Sequence, residues 1–124
     1  MMRLTQKELE RLIIFEIAEI SRRRLKRKIK LNYIEAEAII CDELLERARE
    51  GKHTISQLVE LGGKIISKED VLEGTLQLLP MIQLEALFPD GNKLITIHNP
   101  IRLETSAETV KELVSFPSNK EGWL

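Results

Sequence analysis

The chain has 124 residues, 31% of them charged, and a formal net charge of −1 at pH 7. This length predicts one domain, and the near cancellation of charge excludes a molecule-wide field that would attract nucleic acid or a membrane surface. A single cysteine, Cys41, excludes an internal disulfide and a multi-thiolate metal site within one chain. With no apolar stretch of roughly 18 to 20 residues and no signal-peptide core, we expect a soluble, cytoplasmic protein.

Capping signals that coincide with apolar periodicity predict two long helices in the first half of the chain. Thr5 with Glu8 three residues later begins the first helix, which should run to about Lys28. Asn32 begins the second helix, and Gly51 stands where the residue after a helix end belongs.

Two further helices are predicted between these elements and residue 80. Thr54 begins a short third helix, which Gly62-Gly63 ends. Ser67 with Asp70 begins a fourth, which Pro80 stops. The apolar residues of this fourth helix are Val71, Leu72, Leu76 and Leu79.

The apolar period changes to two after Met81, which predicts β-structure. Two apolar runs flank Pro89-Asp90-Gly91-Asn92, a composition typical of a β-hairpin turn. Because a lone hairpin is marginal in water, it must pack on the helices or pair with another chain. Thr105 with Glu108 predicts a last short helix through Val114, followed by a tail. The fold class is therefore α+β, predominantly helical: about four helices, a C-terminal hairpin, then a short helix and tail.

No constellation of residues in the sequence has the spacing of a catalytic or metal site. The two histidines are His53, expected to be solvated in a turn, and His98, expected to have a structural or interface role. Neither has a second ligand at i+4, which argues against a zinc or nickel site built from this chain alone. Cys41 is expected in the core of the second helix, and the carboxylates on solvated helix faces beside Lys or Arg. We therefore expect no catalytic residue, no cofactor-binding residue and no metal ligand.

The sharpest charge feature is a basic run from Arg22 to Lys30, in which seven of nine residues are Lys or Arg. Such a run could bind nucleic-acid phosphates. It could equally be a basic helix end that suits the helix dipole and meets an acidic surface of a partner subunit. Aromatic residues, which stack on bases, are absent from the run, and this favours the second interpretation.

A set of short motifs, from about Leu4 to Ile101, resembles the urease γ subunit in order and spacing. The motifs are Leu4-Thr5 with Glu8, Arg22-Arg23-Arg24-Leu25-Lys26, Ile29-Lys30-Leu31-Asn32-Tyr33-Ile34-Glu35-Ala36, Ala48-Arg49-Glu50-Gly51-Lys52, Val71-Leu72-Glu73-Gly74, and the hairpin through His98-Asn99-Pro100. Ile34 stands where many family members have proline, a difference that a helix start tolerates.

The resemblance implies a non-catalytic structural subunit of urease, the enzyme that converts urea to ammonia and carbamate. In that family, two nickel ions lie in the large α subunit, where a carbamylated lysine bridges them, and the β and γ subunits complete the scaffold, usually as (αβγ)3. It therefore implies urease α and β subunits as partners, neither nucleic acid nor membrane, and no cofactor in this chain. The alternatives are a small nucleic-acid-binding regulator that uses the basic run, and a stand-alone scaffold that has lost its partners.

The resemblance also divides the chain into a urease γ-like domain, residues 1–101, and a C-terminal extension, residues 102–124. The extension has no counterpart in the family and is too short for a second domain of ordinary size. We hypothesise that its apolar residues dock it onto a neighbouring subunit. These residues are Val110, Leu113, Val114, Phe116 and Trp123.

Overall fold

The computed structural model of this protein describes residues 2–110. Four helices precede a two-stranded antiparallel hairpin, which confirms the predicted α+β, mostly helical class. The elements are α1 (Gln6–Lys26), α2 (Tyr33–Glu50), α3 (Ile55–Gly62), α4 (Thr75–Leu78), β1 (Met81–Phe88) and β2 (Gly91–His98), with short 3-10 turns at Lys68–Asp70 and Ser106–Glu108.

Reciprocal caps begin the first three helices at the predicted residues. In α2, for example, the Glu35 N–H donates to Asn32 Oδ1 (2.9 Å), and the Asn32 N–H donates to Glu35 Oε1 (2.9 Å). Thr5 and Thr54 cap α1 and α3 in the same way. These bonds satisfy backbone N–H groups that have no partner within the helix, so the sequence signal has a direct structural cause.

The ends of α1 and α2 differ in how well their residues suit a left-handed backbone. Gly51 follows α2 with φ +78°, and a Cβ there would lie 2.5 Å from Pro89 Cγ, so both backbone and space require glycine. Lys28 follows α1 with φ 63°. A lysine in that region is strained, and α1 ends at Lys26, two residues before the predicted end.

The predicted fourth helix is wrong in its extent. The segment opened by Ser67 makes only a 3-10 turn, Val71 is extended (φ −121°, ψ 157°), and Gly74 is left-handed (φ 89°). Helical backbone resumes for one turn only, in α4.

Tertiary pairing explains why the helix is interrupted. The Leu31 N–H donates to the Asp70 carbonyl (2.9 Å), and the Leu72 N–H donates to the Leu31 carbonyl (2.9 Å). These bonds form a parallel bridge between Leu31 and Val71. The segment therefore satisfies its backbone groups through the connection between α1 and α2, and its local helix signals are overridden.

The hairpin pairs eight residues on each strand, from Met81 opposite His98 to Phe88 opposite Gly91. Its inward side chains on β1 alternate strictly with exposed ones, as the two-residue period predicts. This inward face packs on α2, while β2 also contacts α3. The buried core side chains shared by these elements include Ile39, Ile40, Leu44, Leu58, Ile82, Leu84, Phe88, Ile95 and Ile97.

The predicted C-terminal helix begins as a 3-10 turn at Ser106–Glu108 and does not continue, because Thr109 is extended (φ −73°, ψ 162°). The remainder of that prediction, residues 111–114, lies outside the described residues. So do the tail and the proposed docking residues other than Val110.

Candidate interaction surface

The side chains that could bind a metal or act in catalysis do not cluster in the described part of the chain. Across residues 2–110, no group of three or more His, Cys, Asp or Glu side chains is placed to hold a metal ion. His98 is exposed at the end of β2. His53 is half-buried rather than solvated, and its Nδ1 atom is buried without a hydrogen-bond partner in the part of the chain described.

Cys41 lies in the core of α2, as predicted. Burial, followed by the charges of Glu37 and Asp42, raises the pKa of its thiol to about 12. A thiol with so high a pKa is protonated at neutral pH and is a poor nucleophile.

The basic run does not form one continuous cationic surface, because Arg22 points inward. Its side chain is 1% exposed, and Nη2 contacts Asp42 Oδ2 (2.6 Å) and Glu43 Oε1 (3.2 Å). Both carboxylates are fully buried. Arg22 therefore belongs to the packing between α1 and α2 and not to a phosphate-binding surface.

Several other cations of the run are also engaged within the chain. Arg24 pairs with Glu35, and Arg23 Nε lies 3.3 Å from Glu19 Oε2. The Lys30 ammonium donates to the Glu69 carbonyl (2.7 Å).

The exposed cationic surface is thus concentrated where α1 gives way to α2, at residues 26–30, which we call the basic connector. Arg27 and Lys28 within it make no ion pair with any side chain of residues 2–110. A small cationic patch of this kind suits an acidic protein surface better than an extended nucleic-acid backbone. It favours the subunit-interface interpretation of the run over the nucleic-acid regulator.

An ionic cluster that is buried at its centre and partly exposed at Arg11 and Glu46 joins α1 to α2, and sequence reasoning missed it. Arg11 reaches Asp42 Oδ1 (2.7 Å) and Glu46 Oε2 (2.8 Å), beside the contacts of Arg22 with Asp42 and Glu43. We call these five residues the charged seam. The expectation that carboxylates lie on solvated faces is wrong for Asp42 and Glu43. The available signal was their position between apolar pairs, Ile39-Ile40 before them and Leu44-Leu45 after them.

The outward side of α1 carries a stripe of apolar side chains. Leu9, Leu12, Ile13 and Ile20 are 44–48% exposed. At about 100° per residue they fall within roughly 100° of arc, on the reverse side of the helix from buried Ala18. Exposed apolar side chains grouped on one side of a helix make this side a candidate contact surface.

The described helices include none that is long and apolar enough to cross a membrane. The stripe on α1 also contains charge, because Glu16 is exposed between Ile13 and Ile20.

The family described as "Urease, gamma subunit" matches residues 2–101 of this chain. The chain belongs to the urease gamma-subunit family. "Urease subunit gamma/beta" of Pseudomonas syringae pv. syringae (strain B728a) is 48% identical over 101 residues, which are 82% of this chain and 43% of the relative. The protein of the same description from Pseudomonas syringae pv. tomato (strain ATCC BAA-871 / DC3000) has the same identity and coverage. The chain thus spans about two-fifths of the length of these curated relatives.

Family membership confirms the resemblance and separates two parts of the described structure. The matched residues contain the whole charged seam, the basic connector and the hairpin. Residues 102–110 lie beyond the match, yet they pack against residues 63–70. The candidate interaction surface thus lies within the family match, and residues 102–110 lie outside it.

Proposed function

We propose that this protein is a non-catalytic structural subunit of urease, the nickel-dependent hydrolase that converts urea to ammonia and carbamate. The observation that carries the proposal is the family match across residues 2–101. Its expected partners are urease α and β subunits in an (αβγ)3 assembly in the cytoplasm. The two nickel ions are expected in the α subunit, and this chain contributes no ligand and no catalytic residue.

The surface of the chain supports a role in assembly. The apolar stripe on α1 exposes large apolar side chains whose burial against another chain would be favourable. The outward face of the hairpin adds Leu87 (47% exposed) and Leu94 (59%). Burying such side chains against another chain stabilises the assembly at roughly 25 cal/mol per Å² of apolar area. We further propose that residues 1–101 form the urease γ-like domain and that residues 102–124 are an extension of it.

Affinity purification of the tagged chain from its source tests the proposal. A larger polypeptide that contains nickel should accompany it, and the eluate should release ammonia from urea. The chain purified alone should bind no nickel and release no ammonia. If the chain alone held two nickel ions or hydrolysed urea, the proposal would be wrong.

A matched pair of variants tests whether the stripe is the contact. Leu12→Glu places a charge within the stripe and should reduce recovery of the larger polypeptide. Lys52→Glu changes an exposed residue just after α2 and should leave recovery unchanged. Thermal unfolding of both isolated variants shows whether either change acts through the fold instead. Equal recovery with the two variants would exclude the stripe as a contact.

A further inference from the structure

The segment beyond the family match is fixed to the body of the protein by its backbone. We call residues 102–110 the C-terminal strap. The Lys68 N–H donates to the Leu103 carbonyl (2.8 Å), and the Val110 N–H donates to the Lys64 carbonyl (2.9 Å). Ser67 and Leu103 form a parallel bridge. Bonds at both ends hold the strap along residues 64–68, unlike a flexible linker, whose backbone is solvated.

Side chains reinforce this contact through one carboxylate. Asp70 is 9% exposed and accepts hydrogen bonds from Ser106 Oγ (2.6 Å), Ser67 Oγ (2.8 Å) and the Ser67 N–H (2.8 Å). The Arg102 guanidinium lies directly over Gly63, where a Cβ would come within 2.2 Å of Nη2. Hydrogen bonds to a charged acceptor are stronger than neutral ones, so the bond from Ser106 to Asp70 is a strong side-chain contact between the strap and the turn.

The turn that the strap holds also supports the basic connector on its other side. The Asp70 carbonyl accepts the Leu31 N–H, and the Glu69 carbonyl accepts the Lys30 ammonium. Residues 67–72 therefore lie between the strap and the start of α2. The strap and the basic connector are thus linked through this turn by two backbone hydrogen bonds, one between Lys68 and Leu103 and one between Leu31 and Asp70.

We propose that the C-terminal strap is a positioning device for the basic connector. By fixing the turn at residues 67–70, it sets the direction in which Arg27 and Lys28 are presented to an acidic surface of a partner subunit. The identity of that partner rests on the proposed function, whereas the coupling between strap and connector does not. Loops held by few buried apolar contacts open locally, and a second set of hydrogen bonds suppresses such opening.

Amide hydrogen exchange in the full chain tests the coupling. Val110→Pro removes the N–H that donates to the Lys64 backbone carbonyl. Ser106→Ala removes the hydroxyl that donates to the Asp70 carboxylate. Combined, they should accelerate exchange about tenfold or more at the Lys68 and Leu31 amides, since losing a neutral hydrogen bond is worth a change of a few-fold to about tenfold and losing one to a charged acceptor at least about tenfold. The Ala36 amide, which donates to Asn32 within α2 (3.0 Å), should keep its rate. Val110→Ala, which keeps the N–H, is the matched control and should resemble the parent.

Each other outcome overturns the proposal. Acceleration at Lys68 without acceleration at Leu31 would show a strap that is not coupled to the connector. Unchanged exchange at Lys68 would show that the strap carries no constraint. Equal acceleration at Lys68, Leu31 and Ala36, also in the milder Ser106→Ala variant, would show global unfolding instead of local release.

Recovery of the larger polypeptide with the same variants separates this inference from the proposed function. Local release together with weaker recovery supports both. Absence of local release with normal recovery overturns the strap and leaves the urease proposal intact. Local release with normal recovery contradicts the use of the connector as a partner contact, and so overturns the inference as well.

Discussion

The two sides of α2 both have fully buried side chains at their centre, but different interactions hold them. Toward α1 it buries Asp42 and Glu43 against Arg22, and these three side chains are at most 1% exposed. Toward the hairpin it meets Ile82 and Ile97, which are as well buried. One side is therefore a charged seam, and the other is an apolar core.

This difference explains how α1 can be held on α2 although most of its residues are exposed or only partly buried. Of its 21 residues, only Ala18, Ser21 and Arg22 are buried. Paired charges require specific partners and fix the position of one helix on another, although they contribute less net stability than apolar packing of similar volume. Ile14 and Ile17 of α1 still pack against the core, whereas the apolar side chains on the outward side of this helix stay exposed.

The largest expected effect comes from breaking the charged seam. Arg22→Met leaves Asp42 and Glu43 buried with fewer cationic partners, and it should lower the free energy of unfolding by about 3 to 5 kcal/mol. Urea denaturation measures the loss. Arg23→Met removes a neighbouring cation whose side chain is 67% exposed, and should change stability by about 1 kcal/mol or less. Similar values for the two variants would contradict the burial of Arg22.

Breaking the apolar core should have a somewhat smaller effect that does not depend on salt. Ile97→Ala removes three methyl or methylene carbons from a fully buried side chain, at a cost of about 2 to 5 kcal/mol. The loss should be the same in low and high salt, because no charge is involved. A loss that varied strongly with ionic strength would place Ile97 outside an apolar core.

Close packing of α3 on β2 can be tested with a compensating pair. A Cβ on Gly62 would lie 2.4 Å from Ile97 Cδ1 and 3.2 Å from Leu44 Cδ1. Gly62→Ala should therefore lower the free energy of unfolding by about 1 to 2 kcal/mol. Ile97→Val removes the nearest carbon, so adding Gly62→Ala to it should change stability by about 0.5 kcal/mol or less. A double-mutant cycle measures this coupling, and additive losses would contradict the contact.

The smallest expected effect concerns a single carboxyl on α2. Burial raises the pKa of Glu37 above its ordinary value. The charged form is thus disfavoured in the folded protein, so Glu37→Gln should stabilise it at pH 7. The gain should disappear as the pH falls through the raised pKa, where Glu37 takes up its proton.

Glu8 provides a control of opposite sign for this experiment. Hydrogen bonds from the backbone and hydroxyl of Thr5 lower its pKa. Its contribution to stability is therefore present at neutral pH and is lost as the pH falls through the lowered pKa. Glu8→Gln should destabilise at pH 7, and thermal unfolding between pH 3 and pH 7 distinguishes the two variants. Effects of the same sign would contradict at least one of the assigned environments.

The parts of the fold that sequence reasoning predicted are those set by neighbours in the chain. Thr5, Asn32 and Thr54 cap their own helices three residues away, and the hairpin follows from a local turn and a two-residue period. Such signals need no knowledge of the tertiary structure.

The parts that were missed depend on residues far apart in sequence. Val71 is extended because it pairs with Leu31, and its own surroundings in the chain favour a helix. Asp42 is buried because α1 brings Arg11 and Arg22 to it. The absence of a site within the chain and the role of the residues after 101 stay predictions, because each depends on partners that one sequence does not contain.

The burial of Cys41 has a practical consequence for experiments on assembly. It is the single cysteine of the chain, and its protonated thiol should react slowly with alkylating reagents while the protein is folded. A cysteine introduced on the outward side of α1 would then be the preferred point of attachment for a fluorophore or spin label. Distances within an assembled complex could be measured from that helix without first removing the native sulfur.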